Sequence, residues 1–164
     1  MQQKQTGKVF RIIVFILTAF MIGFVFFRSS MSAEASTVES ESTLDFLINF
    51  FKSFGISVEM SENIVRKLAH FAEFFVIGGL LMSCAYGFDS LRPQRFGVRV
   101  LFAGMLTALI DETIQLFSEG RAGMIADVWI DMGGVVCGAA LMLGFYTLLR
   151  RRRAKKKRKT DFEG

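Results

Sequence analysis

The sequence predicts an all-α, polytopic membrane protein: one domain over residues 1–164, built from four transmembrane helices, with a short amphipathic interfacial helix in the first outer loop. Three observations predict it. The 164 residues are 52% hydrophobic, include 19 Phe and have a mean hydropathy of +0.42. A soluble domain of this length could not bury that much apolar surface, whereas a lipid-embedded one need not. The apolar residues gather into four long runs, and the basic residues lie mostly on one side of them.

The first run, Ile12 to Phe27, sits between Arg11 and Arg28, and with Val9 and Phe10 gives a span over about 9–27, long enough to cross the hydrocarbon. Residues 28–42 are rich in Ser and Glu and read as a flexible outer loop. Residues 43–54 differ, because Leu44, Leu47, Ile48 and Phe51 recur at helical spacing. Twelve residues are too few to span, so this stretch reads as a helix lying on the outer leaflet or, equally, one packed over the bundle. The second span, about 68–88, has a clean apolar part of only fifteen residues, Phe74 to Phe88, and must therefore take in His70 and Glu73. The third, about 98–117, is apolar to Ile110 and then meets Asp111, Glu112 and Gln115. The fourth, about 122–149, carries Asp127 and Asp131 just before an uncharged run from Met132 to Leu149. A basic tail, 150–164, closes the chain, with nine Lys and Arg between Arg150 and Lys159.

Two elements admit other readings. Lys4, Lys8 and Arg11, an apolar run and Ala33-Glu34-Ala35 resemble a signal peptide with its cleavage site. The candidate cleavage site lies several residues past the run, which favours an uncleaved span; cleavage would leave three spans in the same orientation. Cys84 and Cys137 lie in apolar runs and read as small buried hydrophobes, not as a disulfide framework.

Orientation follows from loop charge. The N-terminal segment, the loop with Arg92, Arg95 and Arg99, and the tail together hold fifteen Lys and Arg, against five in the other loops. By the positive-inside rule both termini are cytoplasmic. The tail reads as a topology anchor with attraction to anionic lipid. No aromatic residues interleave its charges as single-stranded nucleic-acid binding requires, so no nucleic-acid partner is expected.

This topology has a consequence for the polar residues. Lys67, His70 and Glu73 start the second span, Asp111, Glu112 and Gln115 end the third, and Asp127 and Asp131 start the fourth. All therefore fall in the outer leaflet, with Arg121 in the connection between the last two spans. Ionisable groups at that depth are costly and usually line a cavity or pair with one another. Spacing agrees: Arg66, His70 and Glu73 share a face, as do Asp111 and Gln115. The stripe Asp127, Asp131, Gly134, Gly138 would let a neighbouring helix approach closely and aim both carboxylates into the bundle.

The residues K-L-A-H-F-A-E-F-F (67–75), D-E-T-I-Q-L-F (111–117) and G-R-A-G-M-I-A-D-V-W-I-D-M-G-G (120–134) together resemble the VanZ-like family of bacterial membrane proteins, over about residues 60–145. The family's second polar position on the last helix is often Asn; here it is Asp131. Members resemble a protein associated with low-level resistance to the glycopeptide teicoplanin, so the resemblance implies a bacterial plasma-membrane protein with a cell-envelope role, the lipid bilayer as its surroundings and a lipid-linked or cell-wall ligand at the outer leaflet.

Three functions compete. In the first, the cluster binds or acts on such a ligand. His70 is then the acid/base candidate, because its unperturbed pKa lies nearest physiological pH. Asp127 or Asp131 orients it, with Glu73, Asp111 and Glu112 as further catalytic candidates. Arg121 and Lys67 hold a phosphate or carboxylate, and Gln115 adds an amide. In the second, His70, Glu73, Glu112, Asp127 and Asp131 hold a divalent metal; one imidazole among carboxylates suits Mn²⁺, Fe²⁺ or Zn²⁺. The third is a small ion-coupled transporter, against which stand the uncharged inner halves of the spans. The purely structural alternative is charge pairing that fixes helix packing, as in Arg121–Asp127 or Lys67–Glu73. The sequence names no cofactor.

Overall fold

In a computed structural model, which describes residues 5–34, 37, 61–121 and 123–160, the chain is helical. The elements run α1 (Lys8–Ser29), α2 (Glu62–Phe88), a 3₁₀ turn (Pro93–Phe96), α3 (Gly97–Leu116) and α4 (Ile125–Thr160). Among the described residues, three helical segments are long and apolar enough to cross a membrane: Lys8–Ser29, Asn63–Phe88 and Ile125–Arg152. The twenty-residue α3 carries Arg99 near its start and Asp111 and Glu112 near its end. The expected interfacial helix at 43–54 lies outside the described residues. The helix entering the basic tail is continuous with α4 as far as Thr160.

The connections explain where the helices stop. After α2, the buried Asp89 carboxylate accepts hydrogen bonds from the Leu91 and Arg92 amides (3.0 and 3.2 Å), an Asx turn that ends the helix. Pro93 then opens the 3₁₀ turn, where its missing N–H is no loss. Between α3 and α4 the chain reverses through Gly120, whose φ of 73° lies in the left-handed region that glycine enters at no steric cost.

The tightest pairing joins α2 to α4. A Cβ on Gly134 would stand 2.5 Å from the Phe71 carbonyl oxygen and 2.9 Å from the Phe75 nitrogen, and one on Gly138 would be 3.0 Å from the Gly79 nitrogen. The stripe expected to admit a neighbour therefore admits α2. The contact is mutual, since a Cβ on Gly78 would lie 2.7 Å from Val135 Cα. Phe74, Ile77 and Val135, all fully buried, pack beside this seam with Val25 and Ala108. Outward faces are apolar and open: Phe20 on α1, Phe102 on α3 and Trp129 on α4 are each about two-thirds exposed or more.

α1 is fastened at both ends. At one, Thr6 donates to the Gly87 carbonyl through backbone and hydroxyl (3.2 and 3.3 Å). At the other, Ser118 Oγ donates to the Ser29 carbonyl (2.8 Å) and the Ala33 amide to the Glu119 carbonyl (2.9 Å). The Thr6 end also holds stacked Tyr86 and Tyr146 rings, 3.9 Å apart, with Tyr146 Oη hydrogen-bonded to Ser83 Oγ at 2.9 Å. The opposite end holds the polar residues.

Candidate functional site

Four helix ends meet at that second end: the last turn of α1, the first turns of α2, the last turns of α3 and the first turns of α4. At the centre, His70 Nδ1 lies 3.7 Å from Asp111 Oδ2 and 3.9 Å from Asp131 Oδ1. These distances exceed a hydrogen bond. The two aspartates are fully buried, whereas the His70 side chain is 19% exposed. Among the described residues, neither Asp131 oxygen has a hydrogen-bond partner, nor do Asp111 Oδ1 and His70 Nδ1. Gln115 donates to Asp111 Oδ2 at 3.0 Å and fixes that carboxylate from one turn away.

A cavity of about 20 Å³ opens beside these groups, lined by Arg66, Lys67, His70, Gln115, Asp127 and Asp131 among others. That volume holds about one water molecule or one ion, and no organic group. A larger ligand would rest on the mouth of the cavity, where Arg66 and Lys67 stand.

The remaining sequence candidates surround this centre. Lys67 Nζ pairs with Asp127 Oδ1 at 3.0 Å, and Arg28 pairs with Glu73. The ion pairs thus join different helices from the combinations expected, Lys67–Glu73 and Arg121–Asp127. Spacing along one helix identifies a face but not the helix it meets. Glu112 serves the backbone: its Oε2 accepts the Met124 amide at 2.9 Å and so holds the chain entering α4, while Oε1 accepts from Gln115 at 3.3 Å. Arg121 is half-buried in the α3–α4 connection, within electrostatic reach of His70 and Asp111. Burial draws its pKa down from the ordinary value; the Arg66 charge adds to this and the Asp111 carboxylate opposes it.

Sequence reasoning missed two residues. Arg28 counted as a loop charge, yet it occupies the last turn of α1 and reaches Glu73. Ser29, fully buried, stands next to Asp111. The available signal was the basic residue closing an apolar span, where a cation also favours the helix C-terminus.

A family model described as VanZ/LLP1 matches residues 14–150, a stretch that contains all of these side chains. No curated protein and no solved structure matches the chain.

Proposed function

The chain belongs to the VanZ/LLP1 family, and from that premise we propose that it is a four-span protein of the bacterial plasma membrane whose polar pocket faces the extracytoplasmic side. On this reading α3 is the fourth span. Its exposed Phe102, Leu106 and Leu109 form a lipid-facing stripe, and its Asp111 and Glu112 are buried within the bundle, not presented to lipid. The excess of Lys and Arg in the N-terminal segment, the Arg92–Arg99 loop and the tail supports cytoplasmic termini.

The pocket binds, or acts on, an anionic cell-envelope component. The observation that carries this is the convergence of His70, Asp111 and Asp131 from three helices beside one small cavity that Arg66 and Lys67 also line. Helix packing alone would be served by closed ion pairs such as Lys67–Asp127; two fully buried aspartates that share one histidine beyond hydrogen-bond distance are costly to keep for that purpose. The basic mouth suits a phosphate or carboxylate, and the association of the family resemblance with teicoplanin directs the assay to the cell wall.

The test replaces His70, Asp131, Lys67 and Arg121 singly by Ala in a bacterial host, scored for teicoplanin sensitivity and for membrane abundance. Sensitivity should rise in the His70 and Asp131 variants at unchanged abundance. Full tolerance in both would refute the reading.

A further inference from the structure

We infer that His70 Nδ1 and one carboxylate oxygen each from Asp111 and Asp131 form a binding site for a single divalent transition-metal ion, Zn²⁺ or Mn²⁺. The inference rests on the pocket reading above and names what the floor of that pocket holds. The three donor atoms lie within 4.8 Å of one another. A centre common to three such atoms is at most about 2.8 Å from each, and movements of at most about 0.6–0.8 Å bring this to the roughly 2.0–2.2 Å of metal–nitrogen and metal–oxygen bonds.

Three further observations point the same way. The donors are too far apart to hydrogen-bond to one another, yet they crowd together from three helices, and among the described residues His70 Nδ1 and both Asp131 oxygens lack a hydrogen-bond partner. A cation between them satisfies all three at once, whereas a proton satisfies one pair. Ion pairing also sets the two aspartates apart. Asp127 and Glu73 have basic partners in Lys67 and Arg28, whereas among the described residues Asp111 and Asp131 have only His70 within 4 Å as an ionic partner. Lastly, Gln115 donates to Asp111 Oδ2, the oxygen nearest His70, at 3.0 Å, and fixes that carboxylate as groups that orient metal ligands do.

An imidazole with two carboxylates suits Zn²⁺ or Mn²⁺ better than Mg²⁺, which prefers oxygen and retains its waters. Three protein donors leave coordination positions open, and Lys67 lines the adjoining cavity. An anionic ligand at the mouth would meet the ion on one side and the lysine on the other.

His70 is the only histidine in the chain, so a single imidazole reports on the site. The experiment takes the full chain in detergent micelles, purified through an affinity tag without histidine, strips it with chelator and titrates it with ZnCl₂ or MnCl₂. Bound metal is counted by elemental analysis after dialysis, and ¹⁵N-histidine resonances are followed with Zn²⁺. One equivalent should bind, with a large shift of the His70 nitrogen signals. Gln115→Ala should weaken binding by about 10–100-fold, and Asp131→Asn by at least as much. A wild-type chain that binds no stoichiometric ion and whose His70 signals do not move overturns the inference, whatever the variants do. If such a chain still confers teicoplanin tolerance that depends on His70, only the cation is lost. A chain that binds the ion but tolerates His70→Ala without phenotype keeps the cation and refutes the envelope reading.

Discussion

Replacing Gly134 by Ala perturbs the bundle where it has no slack. The new methyl would stand 2.5 Å from the Phe71 carbonyl oxygen, 2.9 Å from the Phe75 nitrogen and 3.1 Å from Phe74 Cβ. Ordinary van der Waals contact begins near 3.4 Å. The nearest obstacles are backbone atoms, so no rotamer change relieves them, and α2 must retreat from α4 by close to 1 Å. Overpacking of this kind costs about 1–3 kcal/mol. The internal control is Gly144→Ala on the same helix, exposed and with nothing within 4 Å of its built Cβ. There the substitution should gain up to about 1 kcal/mol from helix propensity. At roughly 2–4 °C per kcal/mol for a chain of this size, the two variants should melt about 2–16 °C apart in detergent, Gly134→Ala being the lower. Because α2 carries His70 and α4 carries Asp131, the retreat also lengthens their 3.9 Å separation, so the stability loss should bring a loss of function. Equal melting temperatures would refute the backbone-contact argument.

Other predictions concern single contacts. Glu112→Ala removes the charged acceptor of the Met124 amide and should destabilise by about 1.5–3 kcal/mol in thermal unfolding; a change below about 0.5 kcal/mol would mean that the α3–α4 connection does not depend on it. A double-mutant cycle on Lys67 and Asp127, whose side chains are 41% and 28% exposed, should give a coupling of only about 0.2–1 kcal/mol that shrinks with added salt. Tyr146→Phe keeps the stacking on Tyr86 but loses the hydrogen bond to Ser83, for a cost of about 1 kcal/mol. A single cysteine at Glu119, in a chain whose Cys84 and Cys137 are replaced by Ala, should react with an impermeant thiol reagent added to intact cells; protection there, with reaction of a cysteine at Gln94 instead, would invert the proposed topology.

The sequence makes the helices legible because a membrane demands long uninterrupted apolar runs, and the four runs set α1 to α4 to within a few residues at most ends. Two ends are exceptions: α2 begins at Glu62, not near 68, since its first turns border the polar cluster and carry too few apolar residues to read as a span, and α4 runs on to Thr160, not to about 149, since charged residues end an apolar run without ending a helix. That His70, Asp111, Gln115, Asp127 and Asp131 gather at one end was legible as well, because alternating helix direction puts the start of one span beside the end of the next. Partner choice was not. It depends on the rotation of each helix about its axis, and that rotation is fixed by the Gly134–Gly138 seam against Phe71–Gly79. The division of the cluster into a central triad with closed ion pairs around it follows from the same rotation. Arg28 escaped notice because it ends a hydrophobic run, where a basic residue is expected merely as a boundary.

The last helix does not stop where its apolar stretch does. The uncharged run fit to cross a membrane closes at Leu149, yet the backbone remains helical to Thr160. At about 1.5 Å per residue, the backbone at 159 lies roughly 15 Å further along the axis, beyond the ~8 Å Debye length of physiological salt. A helix that continues in this way is a stiff stalk, which carries the far end of the basic stretch away from any surface at its near end and does not let the two ends share one contact.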